Sequence, residues 1–345
     1  MEVESSARQA LVITLTVNPA LDISAMAPEV IPDHKLCCTG SRLDPGGGGI
    51  NVARVVRRLG GRAVAVYTAG GTIGETCRRL VEQEHVPSVV VPVRGSTRAS
   101  FSVGDADSGS QYRFVLEGPE LGEAEWSELL DDAVQLAAPG DILVASGSLA
   151  PGVPTDFYAR AARRARENDV LCVVDGTGPA LAEALAEGVL LATPSRRELG
   201  AHLGRDLPDV TAAAAAALTL VDAGCARYVA VTLGPAGAVL AGPDGARFVA
   251  PPPVRARGTV GAGDAFVAGL VHRLASGRPA EQALVAGVAA GTAAVLAPGT
   301  GLGTVAEFER LEAAILREGA QRPCGCRRPV RSLSPWTKTS CGSSG

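Results

Sequence analysis

Short apolar runs along the chain predict the strands of a buried sheet. Residues 11–17 are apolar and partly β-branched, and they end at Asn18-Pro19, which indicates a first strand that leads directly into a turn. From about residue 120 onward, similar runs alternate with Ala-rich segments of helical character; these runs are 141–146, 170–175, 189–193 and 228–233. The alternation predicts an α/β fold, with a mostly parallel central sheet between layers of helices.

Two other segments alternate polar and apolar residues, as strands with one solvent-exposed face do. They are residues 22–44 and residues 98–116, the second of which turns at Asp107-Ser108-Gly109. We expect the two segments to form one small accessory sheet, a lid beside the main sheet.

The remaining pattern sets the limits of the predicted domain. Residues 237–242 and 246–250 predict a hairpin, because the turn residues Pro243-Asp244-Gly245 separate them. The stretch 319–345 is rich in Pro, Arg, Ser and Gly and has no apolar period, so we predict a disordered tail. The predicted domain therefore covers residues 10–318, including the lid.

Composition narrows the class of protein. The chain has 345 residues, of which 46% are hydrophobic and 3% aromatic, so we expect one large core built from small side chains. The net charge is −4 and no basic stripe appears, which argues against nucleic acid as a partner. Residues 283–306 carry no charge but contain Pro298 and many small residues, so a buried helix followed by a loop is expected rather than a membrane span.

The chain start and the cysteines bear on cellular location. Residues 1–4 are acidic and precede the first apolar run without a basic region, so no secretory signal is expected and the cytoplasm is predicted. The eight cysteines are then expected to be free thiols. Cys324 and Cys326 have no second pair at metal-ligand spacing, and we predict no metal site there.

The first motif with candidate chemistry runs from Gly258 to Phe266, in the order Gly-Thr-Val-Gly-Ala-Gly-Asp-Ala-Phe. Apolar residues at helical spacing follow, so a helix is expected to begin at Asp264. Glycines before a helix leave its first amide N–H groups open, and these groups together with the helix dipole can hold a phosphoryl group. Asp264 could accept a proton from an attacking hydroxyl, or it could merely cap the helix.

The second motif is the four-glycine run from Pro45 to Arg54, which leads into an amphipathic helix that ends at Gly60-Gly61. Glycines let the backbone approach a small ligand closely, and Asn51 can both donate and accept hydrogen bonds to sugar hydroxyls. A flexible loop is the alternative. The run matches neither the dinucleotide-binding pattern nor the P-loop pattern, which disfavours both of those readings.

These two motifs, in this order and about two hundred residues apart, resemble the two signatures of the PfkB, or ribokinase-like, sugar kinases. Residues 14–22, 111–114, 146–149 and 233–235 are similar to the phosphofructokinase branch of that family. The resemblance covers roughly residues 10–315 and implies a ribokinase-like three-layer fold with a lid. The four-glycine form resembles that of bacterial 6-phosphofructokinases, whereas related kinases usually carry a lysine within the run.

The resemblance also implies roles for individual residues. Asp264 is expected to be the base, and Gly261, Ala262 and Gly263 to form the anion hole. The residues expected to hold the sugar hydroxyls are Asp22, Gly47, Gly48 and Asn51. Those expected to bind the phosphate already on the sugar are Lys35, Arg98 and Ser148. Cations suit a phosphate, although Lys35 and Arg98 could also be ordinary surface charges, and Arg113 is a weaker candidate.

For the nucleotide, the resemblance implies ATP with Mg²⁺. The residues expected around ATP are Ser195, Thr232, Gly234 and Gly237, and those expected near the metal are Glu198 and Asp175. The chain departs from the family here, because Ser195 replaces an asparagine and Thr193 stands where the branch commonly has lysine. Mg²⁺ keeps several waters, so we expect activity with weaker ATP or Mg²⁺ binding. Glu198 alone could be a solvated carboxylate at a helix start.

The expected reaction is transfer of the γ-phosphoryl group of ATP to fructose 6-phosphate. Fructose 1-phosphate or tagatose 6-phosphate remain alternatives, because phosphate-binding residues do not distinguish sugars that differ by one hydroxyl. A sugar-phosphate-binding regulator without turnover is a further alternative, suggested by Ser195 and Thr193. The lid segments are expected to expose a sheet face, which predicts a homodimer through the lids.

Overall fold

A mostly parallel sheet forms the centre of the molecule. The computed structural model describes residues 8–297, 299, 301–317 and 322–323. The strands of this sheet are β1 (Val12–Thr16), β4 (Ala63–Ala69), β5 (Ser88–Pro92), β8 (Ile142–Ser146), β9 (Leu171–Asp175), β10 (Val189–Ala192), β11 (Ala226–Thr232), β12 (Ala238–Gly242), β13 (Gly245–Val249) and β14 (Arg322–Pro323). Their spatial order is β14-β13-β12-β11-β10-β9-β8-β1-β4-β5. All neighbours from β11 to β5 pair in parallel, whereas β11 to β14 pair antiparallel.

Helices cover both faces of this sheet. They are α1 (Gly48–Arg58), α2 (Gly71–Gln83), α3 (Glu123–Gln135), α4 (Phe157–Glu167), α5 (Gly178–Glu187), α6 (Arg196–His202), α7 (Val210–Asp222), α8 (Ala262–Ala275), α9 (Ala280–Leu296) and α10 (Val305–Arg317), with a 3-10 turn at Gly234–Ala236. Alternate residues of β1 face opposite layers: Ile13 and Leu15 pack with the α3, α4, α5 and α7 side, and Val12 packs with the α1, α8, α9 and α10 side. The predicted three-layer α/β fold is confirmed.

A separate four-stranded sheet lies beside the main one. Its strands are β2 (Ala20–Ala27), β3 (Thr39–Gly46), β6 (Arg98–Asp105) and β7 (Gln111–Val115), in the order β3-β2-β6-β7. β2 pairs in parallel with β6, which joins the two segments that the alternation pattern assigned to one accessory sheet. We call this sheet the lid.

The lid has one polar and one apolar face. Paired residues in adjacent strands share a face, and the register aligns Leu43, Ile23, Phe101 and Phe114 in one row across all four strands. The neighbouring row places Arg42, Ser24, Ser102 and Arg113 on the other face. The side chain of Phe114 is 57% exposed, so the apolar face points away from the protein.

The charge-free segment forms a buried helix rather than a membrane span. Most residues of α9 are buried against α8. Among the residues that the structure describes, no helix is both long and apolar enough to cross a membrane.

The structure differs from the sequence-based expectations at three places. α8 begins at Ala262, two residues before Asp264, because Gly261 takes a left-handed conformation at φ 75° and starts the helix earlier. The hairpin turn is shorter than expected, since β13 already begins at Gly245. Within the predicted tail, residues 322–323 pair with Arg247 and Phe248 of β13, and the rest of 319–345 lies outside the described residues.

Candidate active site

The starts of α1 and α8 meet at one cleft of about 340 Å³ between the main sheet and the lid. Of the predicted site residues, those that line this cleft are Asp22, Gly47, Gly48, Asn51, Arg98, Gly261, Gly263 and Asp264. They come from four separate stretches of sequence. The fold brings them together because β1 and β2 lead the chain from the main sheet into the lid, while β3 returns it to the first turn of α1.

The first turns of the two helices differ in what faces them. Neither helix has a side-chain cap, since Gly47 precedes α1 and Gly261 precedes α8. At α1, the amide of Ile50 donates to Thr16 Oγ1 at 3.0 Å, so protein atoms occupy the helix start. At α8, a Cβ atom added to Gly263 would meet no atom within 4 Å. The helix start with open space beside it, which also carries the positive end of a helix dipole, is the one that bears Asp264.

Asp264 and Asn51 contact each other across the two helices. Asn51 Nδ2 donates to Asp264 Oδ2 at 2.8 Å, and Arg54 Nη1 donates to Asn51 Oδ1 at 2.9 Å. The Arg54 side chain is fully buried and is held by Glu84 at the end of α2. Sequence reasoning assigned roles to Asp264 and Asn51 but none to Arg54 or Glu84.

Burial and neighbouring charges set the protonation of the two cleft carboxylates. Burial raises the pKa of Asp264 to about 6; Asp22 raises this pKa as well, whereas the Asn51 hydrogen bond, Arg113 and Arg54 lower it. Burial likewise raises the pKa of Asp22 to about 6, and Arg113 is the strongest opposing charge. Both carboxylates are therefore mainly ionised at pH 7, with pKa values near those that general bases need.

The predicted phosphate-binding residues separate into two groups. Arg98 Nη2 donates to Ser148 Oγ at 3.3 Å, and both residues line a second cleft of about 520 Å³ that adjoins the first. Lys35 is exposed in the connection between β2 and β3 and lines neither of these clefts. The structure thus brings Arg98 and Ser148 together and leaves Lys35 apart from them.

Arg113 lies in the cleft, although sequence reasoning treated it as a weaker candidate. It belongs to β7, opposite Ser102, on the polar face of the lid that also carries Asp22 and Ser24. The signal that could have identified it is the alternation in β7, because Arg113 shares a face with Gln111 and Val115 while Tyr112 and Phe114 point the other way.

The predicted nucleotide residues gather at the carboxyl ends of β10 and β11. Ser195 and Thr232 form an isolated parallel bridge, and Thr232 leads into the 3-10 turn that contains Gly234. Gly237 follows with φ 114°, and a Cβ atom there would lie 2.9 Å from Ala250 Cα. None of these four residues lines either of the two clefts in the described part of the chain.

The two predicted metal residues have different surroundings. Glu198 accepts from the amide of Ser195 at 2.7 Å, and Ser195 Oγ accepts from the amide of Glu198 at 3.3 Å, so the pair forms a capping box at the start of α6. Asp175 is enclosed by Ser146 Oγ at 2.9 Å and Thr193 Oγ1 at 3.0 Å.

Negative charge accumulates around Asp175. Burial raises the pKa of Asp175 to about 7, and the charges of Asp264 and Glu198 raise it further. Within the described residues, no group of three or more His, Cys, Asp or Glu side chains could hold a metal ion. This donor set fits Mg²⁺ that is bound largely through water and phosphate oxygens, and it does not fit a metal site made only of protein ligands.

The fold and this cleft define a carbohydrate kinase. A model of the pfkB family of carbohydrate kinases matches residues 18–306. The chain therefore belongs to the pfkB family, as the two glycine motifs predicted.

Similar proteins within this family are phosphofructokinases. The chain is 39% identical over 307 residues to the ATP-dependent 6-phosphofructokinase isozyme 2 of Escherichia coli K12, which covers 89% of this chain and 99% of that protein. It is 43% identical over 289 residues to the isozyme 2 of Mycobacterium tuberculosis H37Rv, with 84% of this chain and 85% of that protein covered. The crystal structure of phosphofructokinase-2 from Escherichia coli in complex with substrates and products matches with a TM-score of 0.86 and 40% identity, over 89% of this chain and 99% of that one.

Proposed function

We propose that the chain is an ATP-dependent 6-phosphofructokinase that transfers the γ-phosphoryl group of ATP to fructose 6-phosphate. The similarity to phosphofructokinases over nearly the whole length of those proteins supports the activity. The observation that carries the proposed mechanism is the placement of Asp264 on the open start of α8, in one cleft with Asn51 and Asp22.

Asp264 acts as the general base in this proposal. With a pKa of about 6 it is mainly ionised at pH 7, and it can take the proton of the sugar hydroxyl as the oxygen attacks the phosphorus atom. The amide groups of Gly261, Ala262 and Gly263 supply the anion hole. No side chain caps this helix start. The N–H group of Ala262 donates to the carbonyl of Thr259 at 3.4 Å, and we expect it to turn to the negative phosphoryl oxygens when ATP binds, with the helix dipole adding to the stabilisation.

The sugar phosphate lies along the lid in this proposal. Asp22, Gly47, Gly48 and Asn51 bind its hydroxyls, while Arg98 and Ser148 bind its phosphate from the adjoining cleft. Arg98 presents a planar guanidinium group that can bind two phosphate oxygens, and its contact with Ser148 already joins the two proposed phosphate ligands. Arg113 adds a second positive charge on the lid face of the cleft.

ATP binds at the ends of β10 and β11, where Ser195, Thr232, Gly234 and Gly237 lie. Glu198 and Asp175 would hold Mg²⁺, which would supply positive charge against the phosphates. Thr193 donates to Asp175. Where the family commonly has a charged lysine, this chain therefore has an uncharged hydroxyl group that donates a hydrogen bond.

Replacement of Asp264 tests the base directly. We expect Asp264→Asn to lower kcat by about 10³-fold, since general-base catalysis contributes of this order, with little change in fructose 6-phosphate binding measured by calorimetry. Asp209→Asn is the matched control, because Asp209 caps α7 by accepting from the amide of Ala212 at 2.8 Å. If Asp264 only stabilised the start of its helix, both variants would keep their turnover, and this result would contradict the proposal.

A panel of sugar phosphates tests the substrate. We expect the highest kcat/KM with fructose 6-phosphate, compared with fructose 1-phosphate and tagatose 6-phosphate at equal ATP. Preference for either of the other sugars would assign the enzyme to a neighbouring branch of the family, and binding of sugar phosphate without turnover in any mixture would make it a regulator.

The lids pair two copies of the chain in this proposal, and the enzyme works in the cytoplasm. The outer face of the lid exposes the row of Leu43, Phe101 and Phe114, and an apolar sheet face of this kind is typical of a subunit interface. We expect light scattering to give the mass of a dimer and Phe114→Lys to shift it to a monomer. A wild-type monomer at micromolar concentration would refute the dimer.

A further inference from the structure

We propose that Arg54 is a positioning residue that fixes the orientation of the Asn51 amide and thereby aims Asp264 at the sugar hydroxyl. The inference rests on the proposed role of Asp264 as the base. It starts from an unusual placement, because Arg54 is the largest side chain in the described chain that is fully buried, and a buried charge is costly unless its partners compensate it.

The four partners of Arg54 come from three elements, which are β3, α1 and the end of α2. Its Nε donates to Glu84 Oε1 at 3.0 Å, and its Nη2 lies 3.6 Å from Asp44 Oδ1 in the lid strand β3. Its Nη1 donates both to the carbonyl of Pro45, at 3.0 Å, and to Asn51 Oδ1. The guanidinium group is therefore held in one position by groups that surround it on several sides.

Neutralising Glu84 does not require Arg54. Glu84 Oε2 also accepts from Arg58 Nη2 at 2.7 Å, one helical turn further along α1. The Nη1 atom of Arg54, by contrast, points away from Glu84 and contacts Pro45 and Asn51 instead. This half of the guanidinium group therefore holds Asn51, which lines the cleft, and takes no part in the ion pair with Glu84.

The chemistry of the three side chains admits one orientation of the amide. A guanidinium group has only donors and an ionised carboxylate has only acceptors. With Asn51 Oδ1 toward Arg54 and Nδ2 toward Asp264, both contacts are hydrogen bonds; in the flipped amide, a donor would face a donor and an acceptor would face an acceptor. Arg54 thus ensures that Asp264 Oδ2 receives a hydrogen bond, which leaves Oδ1 to accept the proton of the substrate.

A double-mutant cycle tests whether Arg54 acts through Asn51. Arg54→Lys keeps the positive charge beside Glu84 and Asp44 but loses the planar fork that reaches Asn51 at the same time. We expect it to lower kcat roughly 20-fold in the otherwise unchanged enzyme, as loss of one charge-assisted hydrogen bond would. In an Asn51→Ala background, the same substitution should lower kcat less than about twofold, because the amide that it orients is gone.

The matched control is Arg273→Lys on α8. Arg273 makes a comparable fork with Glu312, whose Oε1 and Oε2 lie 2.8 and 2.6 Å from Nη2, and it has no contact with Asn51. We expect this variant to keep the kcat of the parent enzyme in both backgrounds. If Arg54→Lys does not fold, Arg54→Met replaces it, since methionine has no donor for Asn51 Oδ1 while Arg58 still pairs with Glu84, and the coupling is measured in the same way.

The outcomes separate this inference from the proposed function. An unchanged kcat in Arg54→Lys, or equal fold-losses with and without Asn51, would show that Arg54 has only a structural role and would overturn the inference. Turnover that survives Asp264→Asn would instead refute the base itself. If Asp264→Asn is inactive but the losses from Arg54→Lys and Asn51→Ala simply add, the base is supported and only the role of Arg54 is refuted.

Discussion

The glycine-rich starts of α1 and α8 look alike in sequence but have different structural roles. At α1 the glycines allow close packing: a Cβ atom on Gly49 would lie 2.9 Å from the carbonyl oxygen of Leu15 and against Thr16 Oγ1, and one on Gly48 would collide with Ser146 Oγ. At α8 the space beside Gly263 is open. The first motif therefore packs its helix closely against the sheet, and the second leaves open space beside Gly263.

The largest expected effect is on stability, from a substitution at the closely packed start of α1. Gly49→Ala forces a methyl group against the backbone of β1, which lies in the middle of the sheet and has little room to move. We expect a loss of about 3 kcal/mol in the free energy of unfolding, measured by urea denaturation. A stability equal to that of the parent would show that α1 can shift and that its glycines are not needed for packing.

A substitution at the open start of α8 should change the activity rather than the stability. Gly263→Ala adds a methyl group at the place proposed for the phosphoryl oxygens, without any protein atom to collide with. We expect kcat to fall about 100-fold, the effect of losing one donor of an anion hole, while the thermal midpoint stays the same or rises. Full activity in this variant would place the transferred group elsewhere.

The pH dependence of kcat tests the contact between the two helix starts. Asp264 must be ionised to act as a base, so activity should be high above pH 6 and fall as the pH drops through about 6. The Asn51 hydrogen bond favours the ionised form, and its removal raises the pKa. We therefore expect Asn51→Ala to move the acid limb upward by about one pH unit. An unmoved limb would argue against Asp264 as the titrating group.

The smallest expected effect concerns Asp175, the last residue of β9. Its hydrogen-bond donor Ser146 packs against Gly48, and the charge of Asp264 raises the pKa of Asp175. With a pKa of about 7 in the folded state and 3.8 for an ordinary aspartate, Asp175 takes up a proton on folding between these values. The contribution of Asp175 to the free energy of unfolding is therefore fully present below pH 4, and it is lost as the pH rises through 7.

Asp175→Asn removes this titration. Without nucleotide or Mg²⁺, we expect the thermal midpoint of this variant to rise relative to that of the parent as the pH increases from 5 to 8. A constant difference between the two proteins across this range would show that Asp175 is ionised in the fold.

Local sequence patterns predicted much of the architecture. The apolar runs marked β1 and β8 to β11 within a few residues, because strands buried on both faces leave a clear signal. The alternation in 22–44 and 98–116 predicted the lid sheet. The run β4-α2-β5 was not assigned from the sequence, since its helix has few apolar positions, of which Cys77 and Val81 are buried.

The sequence could indicate which candidate residues meet in the cleft where one motif held several of them. Asp264 and its glycines are contiguous, as are Gly47, Gly48 and Asn51, and these residues meet in the cleft. Arg98 and Ser148 contact each other as well. Lys35 lines neither cleft; it lies in the exposed connection between β2 and β3, outside both glycine motifs.

By itself, then, the sequence determined the fold class, the family and the two helix starts, because each depends on residues that are neighbours in the chain. Only the tertiary structure decided which helix start is open, and that Arg54 and Glu84 contact each other and Arg54 contacts Asn51. Those properties depend on atoms that lie far apart in sequence and within a few ångströms in space, and no local pattern encodes such distances.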